Sequence, residues 1–309
     1  MVRHLALLAL ASCGGAPTLP PLAPPVFEGV ALSRVECTRN NVLMPAVIDG
    51  TLGWFIIDSG AFTNVVYEPF AKRAGLTLED NQDRLGGGYG VRVLRVLAKS
   101  FVVPGLPAMP VPQLMMLGSN SPLAREGCEI AGVISPATLA TDDSALIVDF
   151  GAARLARITV DAIDEHLARI SGPRFNATID HGEYTPGIDV AFGTQKMRLM
   201  IDTGSCCTWV TTSSSVGKTH LPRSTPGVEV RRLQSKRLSR RSLTPLSFGT
   251  VNRELEIRLL EPDPGDDQED GAIGGDALQG CVVAISPHEM RGACRQAPIW
   301  SQSSTNRSR

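Results

Sequence analysis

Net charge is nearly absent from this sequence: 30 Lys and Arg stand against 31 Asp and Glu, a formal −1 at pH 7. Without a basic surplus the chain has no global pull on nucleic acid or other polyanions, and no nucleic-acid partner is expected. Metal-ligand patterns are missing as well. The five histidines are scattered without ligand spacing, with His181 and His288 reading as surface residues, and no two of the seven cysteines form a C-x-x-C pair. The adjacent Cys206 and Cys207 are poorly placed to give two ligands to one ion, so neither metal nor cofactor is expected. The Gly-rich stretch around Gly87, Gly88 and Gly90 has no Lys-Ser/Thr after it and no evident helix start, which speaks against a phosphate cradle. Asp149-Phe150-Gly151 spells a kinase triplet, but no nucleotide loop or His-Arg-Asp precedes it. Aromatic residues are few, and the apolar run Leu5 to Ala11 is too short to span a bilayer as a helix.

What the chain does contain is 309 residues with 43% hydrophobic content, enough for one large domain or two lobes. Its first residues, "MVRHLALLALASC", have a positive start, a short apolar stretch and small residues, the order that export needs. Leu10-Ala11-Ser12-Cys13 resembles the lipobox of bacterial lipoproteins, which implies a signal peptide over 1–12 and lipidation of Cys13. A chance Cys behind an ordinary signal sequence is the plainer alternative. The resemblance implies the bacterial cell envelope as location, with Cys13 as membrane anchor, and the likeness of Gly14, in place of Asp, to sorted lipoproteins leans toward the outer membrane of an organism that has one. Residues 13–27, rich in Gly and Pro, read as an extended tether, and 296–309 as a loose tail. An exported chain meets an oxidising compartment. The six cysteines beyond Cys13 allow many connectivities; the simplest pairs Cys37 with Cys128 and makes two pairs among Cys206, Cys207, Cys281 and Cys294.

The strongest signal is an internal echo. "WFIIDSGAFTNVV" (54–66) and "RLMIDTGSCCTWV" (198–210) each run from apolar residues through Ile-Asp to a small hydroxyl residue and Gly. Later, "AGVISPATL" (131–139) answers "DGAIGGDAL" (270–278), with Gly132 matching Gly271 and Leu139 matching Leu278. Each block then leads into an apolar strand, "ALIVDF" and "CVVAIS". Ordered self-similarity of this kind implies duplication of one structural unit. Within each unit the pattern reads mostly as strand. Hairpins are expected at Asp49-Gly50, around Gly193, within "VRVLRVLAKSFVVPGL" (91–106), and within the long segment from Arg231 to Pro262. Short helices are expected in "VYEPFAKRAGL", closed by Gly75, and over Val160 to Ile170.

An Asp between "FII" or "LMI" and a Ser/Thr-Gly turn is costly to ionise alone. If the two units face each other, Asp58 and Asp202 meet, and two adjacent carboxyl groups share one proton. One then acts as general base on a water while the other hydrogen-bonds a scissile carbonyl. On these residues the chain resembles aspartic peptidases of the retropepsin/pepsin class in a bacterial two-lobed form. The motif Asp-Ser/Thr-Gly appears as Asp58-Ser59-Gly60 and Asp202-Thr203-Gly204. The later apolar-apolar-Gly motif appears as Ala272-Ile273-Gly274, and as Val133-Ile134-Ser135 with Ser in place of Gly, a departure that makes the first supporting loop less regular.

The resemblance implies a mostly β fold of two retropepsin-like barrel lobes, 28–159 and 160–295, related by a pseudo-twofold axis with the active-site cleft between them. It implies catalytic Asp58 and Asp202, and an unfolded protein or extended peptide as substrate. A monomer suffices, since one chain supplies both acids. The segment 84–96 is the candidate flap, with Gly87, Gly88 and Gly90 freeing its tip and Tyr89 placed to lean over the cleft; an ordinary surface loop is the plainer reading. The basic segment 231–241 reads either as a contact for acidic partners or as a solvated hairpin. A reading from another class is a non-catalytic peptide- or protein-binding module on the same fold, which Ser135 favours.

Overall fold

The structure, a computed structural model, describes residues 24–33, 41–61, 63–79, 85–86, 92–117, 130–179, 185–231, 236–262 and 270–295. The leader with Cys13, most of the tether, Cys37, Cys128, the candidate flap tip Gly87, Gly88, Tyr89 and Gly90, and the tail lie outside the described residues. Strand makes up 50% and helix 12%, so the chain is mostly β. Among the described residues, no helix is long and apolar enough to cross a membrane.

In the N-terminal half the strands that position the site are β1 (Leu43–Ile48), β2 (Thr51–Ile57), β3 (Asn64–Tyr67), β4 (Arg92–Leu97), β5 (Leu114–Leu117) and β6 (Ile130–Ile134), followed by β7 (Ser144–Asp149) and β8 (Arg154–Thr159). The hairpin β1–β2 turns where expected, with Asp49 at φ 47° and Gly50 at φ 80°, the left-handed pair that matches strand twist. β6 runs parallel to β2, setting Ile134 beside Ile57, and antiparallel to β3, setting Val133 beside Val65. β3 in turn runs parallel to β5, which pairs antiparallel with β4.

The C-terminal half contributes β9 (Arg174–Ile179), β10 (Pro186–Phe192), β11 (Gln195–Ile201), β12 (Trp209–Thr211), β13 (Lys236–Phe248), β14 (Val251–Leu260), β15 (Gly271–Ile273), β16 (Cys281–Ile285) and β17 (Glu289–Cys294). The pairing pattern recurs: β15 is parallel to β11, with Ile273 beside Ile201, and antiparallel to β12, with Ala272 beside Trp209. β12 is parallel to β14, which pairs with β13. Here β10 also pairs with β13, closing a six-strand barrel β10-β11-β15-β12-β14-β13. Among the described residues of the N-terminal half the corresponding order β1-β2-β6-β3-β5-β4 is an open path.

The apolar strands that follow the two echoed blocks pair with each other. β7 and β16 are antiparallel, with Leu146 beside Ile285 and Val148 beside Val283, and β8, β17 and β9 extend that sheet. Period-2 alternation gives it two buried faces. Leu146, Val148, Val283 and Ile285 join the main core, while Ala145, Ile147, Val282 and Ala284 lie under Ile163 and Leu167. Those last two belong to the expected connecting helix, which is a 3-10 turn over Val160–Ala162 and an α-helix over Ile163–Ala168. The first helix spans Glu68–Arg73 and is followed by Gly75 at φ 65°.

One expected hairpin is corrected. Within "VRVLRVLAKSFVVPGL" the strand Arg92–Leu97 pairs with β5, while Phe101–Val102 pairs with Val47 and Ile48 of β1. The two runs sit on different neighbours because Asp49, whose Oδ1 accepts from the Lys99 and Ser100 amides at 2.8 Å, pulls the connection across to the β1–β2 turn.

Candidate active site

Each acid stands one residue past the end of an apolar strand. The Asp58 amide donates to the carbonyl of Ile134 at 3.0 Å, and the Asp202 amide to that of Ile273 at 2.9 Å. β6 and β15 thus fix where β2 and β11 end and their turns begin. In those turns Asp58 Oδ1 accepts from the Gly60 amide, and Asp202 Oδ1 from the Ser205 amide, both at 2.9 Å.

The two turns interlock. Ser59 Oγ donates to the Ile201 carbonyl at 2.6 Å and accepts from the Thr203 amide at 3.1 Å. Thr203 Oγ1 donates to the Ile57 carbonyl at 2.8 Å and accepts from the Ser59 amide at 3.0 Å. Asn41 adds a bond from Nδ2 to the Thr203 carbonyl at 2.8 Å. A Cβ at Gly60 would lie 2.9 Å from Cγ of Asp202, so only glycine lets the second acid come this close. Gly204 occupies the corresponding turn and is buried.

Beneath this clasp the carboxyl groups of Asp58 and Asp202 lie close enough to act directly on each other. Asp58 is 0% and Asp202 4% exposed. Burial, foremost, then the charge of Asp202 and the bond to it, hold the Asp58 carboxyl well above its ordinary value of 3.8, against the opposing pull of the Gly60 and Ala61 amides. Asp58 Oδ2 receives no hydrogen from a protein donor. Two facing carboxyl groups bond only when one carries a proton, and the upward shift of Asp58 runs in the direction of a proton kept on this pair. Tyr67 belongs to the same environment: its hydroxyl is buried without a partner and is pushed above the usual tyrosine range, first by burial and then by the charge of Asp58.

The supporting loops are tied to the turns by an equivalence that motif reading missed. Asn64 and Thr208 each stand six residues after an acid. Asn64 Oδ1 accepts from the Ser135 amide at 2.9 Å, and Thr208 Oγ1 from the Gly274 amide at 3.1 Å. Overlaying the two echoes position by position reveals this pair; Asn41, which lies outside both, leaves no such trace. Ser135, 1% exposed, therefore makes the same backbone bond as Gly274. Gly274 has no room for a side chain because the Cys207 backbone presses on its Cα; Asn64 accepts instead from both the Ser135 amide and Thr138 Oγ1. Val133, Ile134, Ala272 and Ile273 are all fully buried. Gly132 and Gly271 are the crossing points, where a Cβ would strike the carbonyl of Val65 or of Trp209.

Of the candidate flap, Leu85–Gly86 pairs with β4, Leu85 beside Val93. In the basic segment β13 pairs with Val228–Arg231, and Arg241 forms an ion pair with Glu256 at 3.2 Å; residues 232–235 between them lie outside the described residues. His288 is exposed and faces Asp142. Asp149 of the kinase-like triplet is a structural acid, bound by Arg295 and by the Gly151 and Ala152 amides. Cys281 and Cys294 form a disulfide across β16 and β17, whereas Cys206 and Cys207 have their Sγ atoms 2.9 Å apart. Of the two pairs expected among these four cysteines, the described residues contain one. No protein-family model matches the chain, and no curated protein matches it in sequence.

Proposed function

We propose that the protein is an aspartic endopeptidase whose halves are two retropepsin-like lobes related by a pseudo-twofold axis. The observation that carries this reading is the contact of Asp58 with Asp202, reached from equivalent turns under one reciprocal clasp. Asp58, the more deeply buried acid, holds the shared proton and hydrogen-bonds the scissile carbonyl. Asp202 takes a proton from a water that attacks that carbonyl, giving a tetrahedral intermediate with no covalent enzyme adduct. The clasp keeps the two carboxyl groups at fixed separation, so little reorganisation accompanies the proton shift. The substrate is an extended peptide or unfolded protein lying between the lobes under the 84–96 hairpin. The chain acts as a monomer, held in the bacterial envelope by lipid on Cys13.

Purified protein and its Asp202→Asn variant, incubated with an unfolded protein from acid to neutral pH, test the chemistry. Cleavage by the parent, blocked by a statine-type transition-state mimic and lost in the variant, is expected. Equal cleavage by Asp202→Asn would refute it. One observation favours the second reading, a binding module on the same fold: the dyad is almost wholly buried, with Asp58 at 0% and Asp202 at 4% exposure, so catalysis requires the site to open. Binding of unfolded protein without any hydrolysis would decide for that reading.

A further inference from the structure

The loop that carries Asp202 holds two adjacent thiols that the proposed chemistry does not use. Cys206 and Cys207 are 4% and 6% exposed, with their Sγ atoms 2.9 Å apart. An S–S bond is about 2.05 Å long, so less than an ångström separates this contact from a bond. The pair is also wired to the acid on both sides. Ser205 holds Asp202 through its amide at 2.9 Å, and its Oγ donates to the Cys207 carbonyl at 2.9 Å. The Gly275 amide donates to the Ser205 carbonyl at 2.8 Å, and the Cys207 backbone lies against Gly274. Thr208, the next residue, accepts from the Gly274 amide.

We infer that Cys206 and Cys207 form a thiol–disulfide modification site, closing into a vicinal disulfide that loosens the Asp202 loop. A bond between neighbouring residues makes a small ring that contains their shared peptide. Side-chain rotation alone cannot absorb that closure, so the peptide plane turns. That peptide carries the Cys206 carbonyl and the Cys207 amide; turning it changes φ of Cys207 and so swings the Cys207 carbonyl, which Gly274 crowds and the Ser205 hydroxyl holds. The bond of that carbonyl from Ser205 Oγ is lost, and Ser205 is then less well held under Asp202.

The co-reactant is a small-molecule disulfide. One cysteine thiolate attacks it to give a mixed disulfide and release one thiol; the second cysteine displaces the other thiol. The small disulfide is reduced by two electrons and leaves as two thiols carrying both protons, while the cysteine pair is oxidised. With so little of each cysteine exposed, a small reagent reaches the pair and a protein reagent does not.

Loop loosening stands apart from the peptidase reading, and only its effect on turnover rests on that reading. The full chain is incubated with glutathione disulfide or with glutathione, alkylated, and digested with trypsin. The tryptic peptide 199–218 contains both thiols and no other cysteine. After oxidation it is expected unalkylated and lighter by two hydrogen atoms, and the Ser205 and Gly275 amides exchange with deuterium about ten-fold faster. Cys206→Ser is expected to show neither redox response. Two alkyl groups on the oxidised peptide, or only glutathione adducts, overturn the inference. So does bond formation with unchanged exchange, or a persisting exchange response in Cys206→Ser, which would assign the effect to Cys281–Cys294. Absence of hydrolysis in both redox states, with the bond and the exchange change present, leaves this inference standing and refutes the peptidase reading alone.

Discussion

Ser59 and Thr203, 144 residues apart, each hold the other's backbone: each hydroxyl accepts from the partner's amide and donates to the carbonyl two residues before the partner. Every bond is buried, so removing one hydroxyl strands an amide and a carbonyl together. Ser59→Ala is expected to cost about 2–3 kcal/mol in urea unfolding, and Thr203→Val about the same. The double variant should cost clearly less than the sum, because the second substitution breaks a clasp already opened. Additive losses below about 0.5 kcal/mol each would show that the clasp does not hold the halves together.

The raised pKa of Asp58 gives stability a definite pH dependence. The folded state keeps its proton at pH values where the unfolded chain has released it. The contribution of this group is complete below 3.8 and is lost as pH rises toward the raised folded value. Asp58→Asn removes the titration, so the variant should gain thermal stability relative to the parent at neutral pH and show no gain below pH 3.8. A parent–variant difference that does not change with pH would place the shared proton elsewhere. On the proposed mechanism the same proton is needed for turnover, so the alkaline limb of kcat/KM should lie above the ordinary carboxylate range.

How much of this was legible in the chain follows from where information is local. Asp58, Asp202, the Ser/Thr-Gly turns and the Gly-apolar-apolar loops were visible because an acid inside an apolar strand is expensive and a repeated expensive feature is informative. The hairpins at Asp49-Gly50 and Gly193 follow from turn chemistry. Phe101–Val102 was misassigned because its partner is chosen by Asp49, whose bonds to the Lys99 and Ser100 amides cross 50 residues of chain. Asn41 and Tyr67 were silent for the same reason: only the fold gives a buried amide its carbonyl or sets a hydroxyl near Asp58. Closure of the C-terminal barrel by β10 and β13 has no counterpart in the echoed motifs.

The glycines at equivalent places are not equally replaceable. Gly271→Ala drives a methyl group into the Trp209 carbonyl, and Gly274→Ala into the Cys207 backbone. Neither obstacle is the end of a flexible side chain, so each substitution is expected to cost more than about 3 kcal/mol or to prevent folding. Ser135→Gly, at the position matching Gly274, keeps the amide bond to Asn64 and should stay within about 1 kcal/mol of the parent. Denaturant unfolding checks all three. A well-tolerated Gly274→Ala would mean that the Cys207 backbone does not crowd this loop.

Arg295 joins Asp149 to the Pro24 carbonyl, and the last prediction concerns that joint. Asp149 is 0% exposed at the end of β7, and Arg295 grips both of its oxygens, at 2.8 and 2.6 Å, while also reaching the carbonyls of Pro24 and Gly280. Arg295→Ala leaves the carboxylate buried with only the Gly151 and Ala152 amides as donors. Breaking a fully buried pair costs about 3–5 kcal/mol. The side chain of Arg295 retains 22% exposure and the two amides remain, so about 2 kcal/mol is expected. Arg295→Lys keeps the charge but loses the planar fork, and should recover less than half of that loss. Because the acid is shielded from solvent, the difference between parent and Arg295→Ala should change little between low and high salt. Urea unfolding at two ionic strengths measures both quantities. A loss that vanishes in high salt would mean the pair behaves as a surface contact, and the joint between β7 and the end of β17 would then be held by the sheet pairing of β7 with β16 alone.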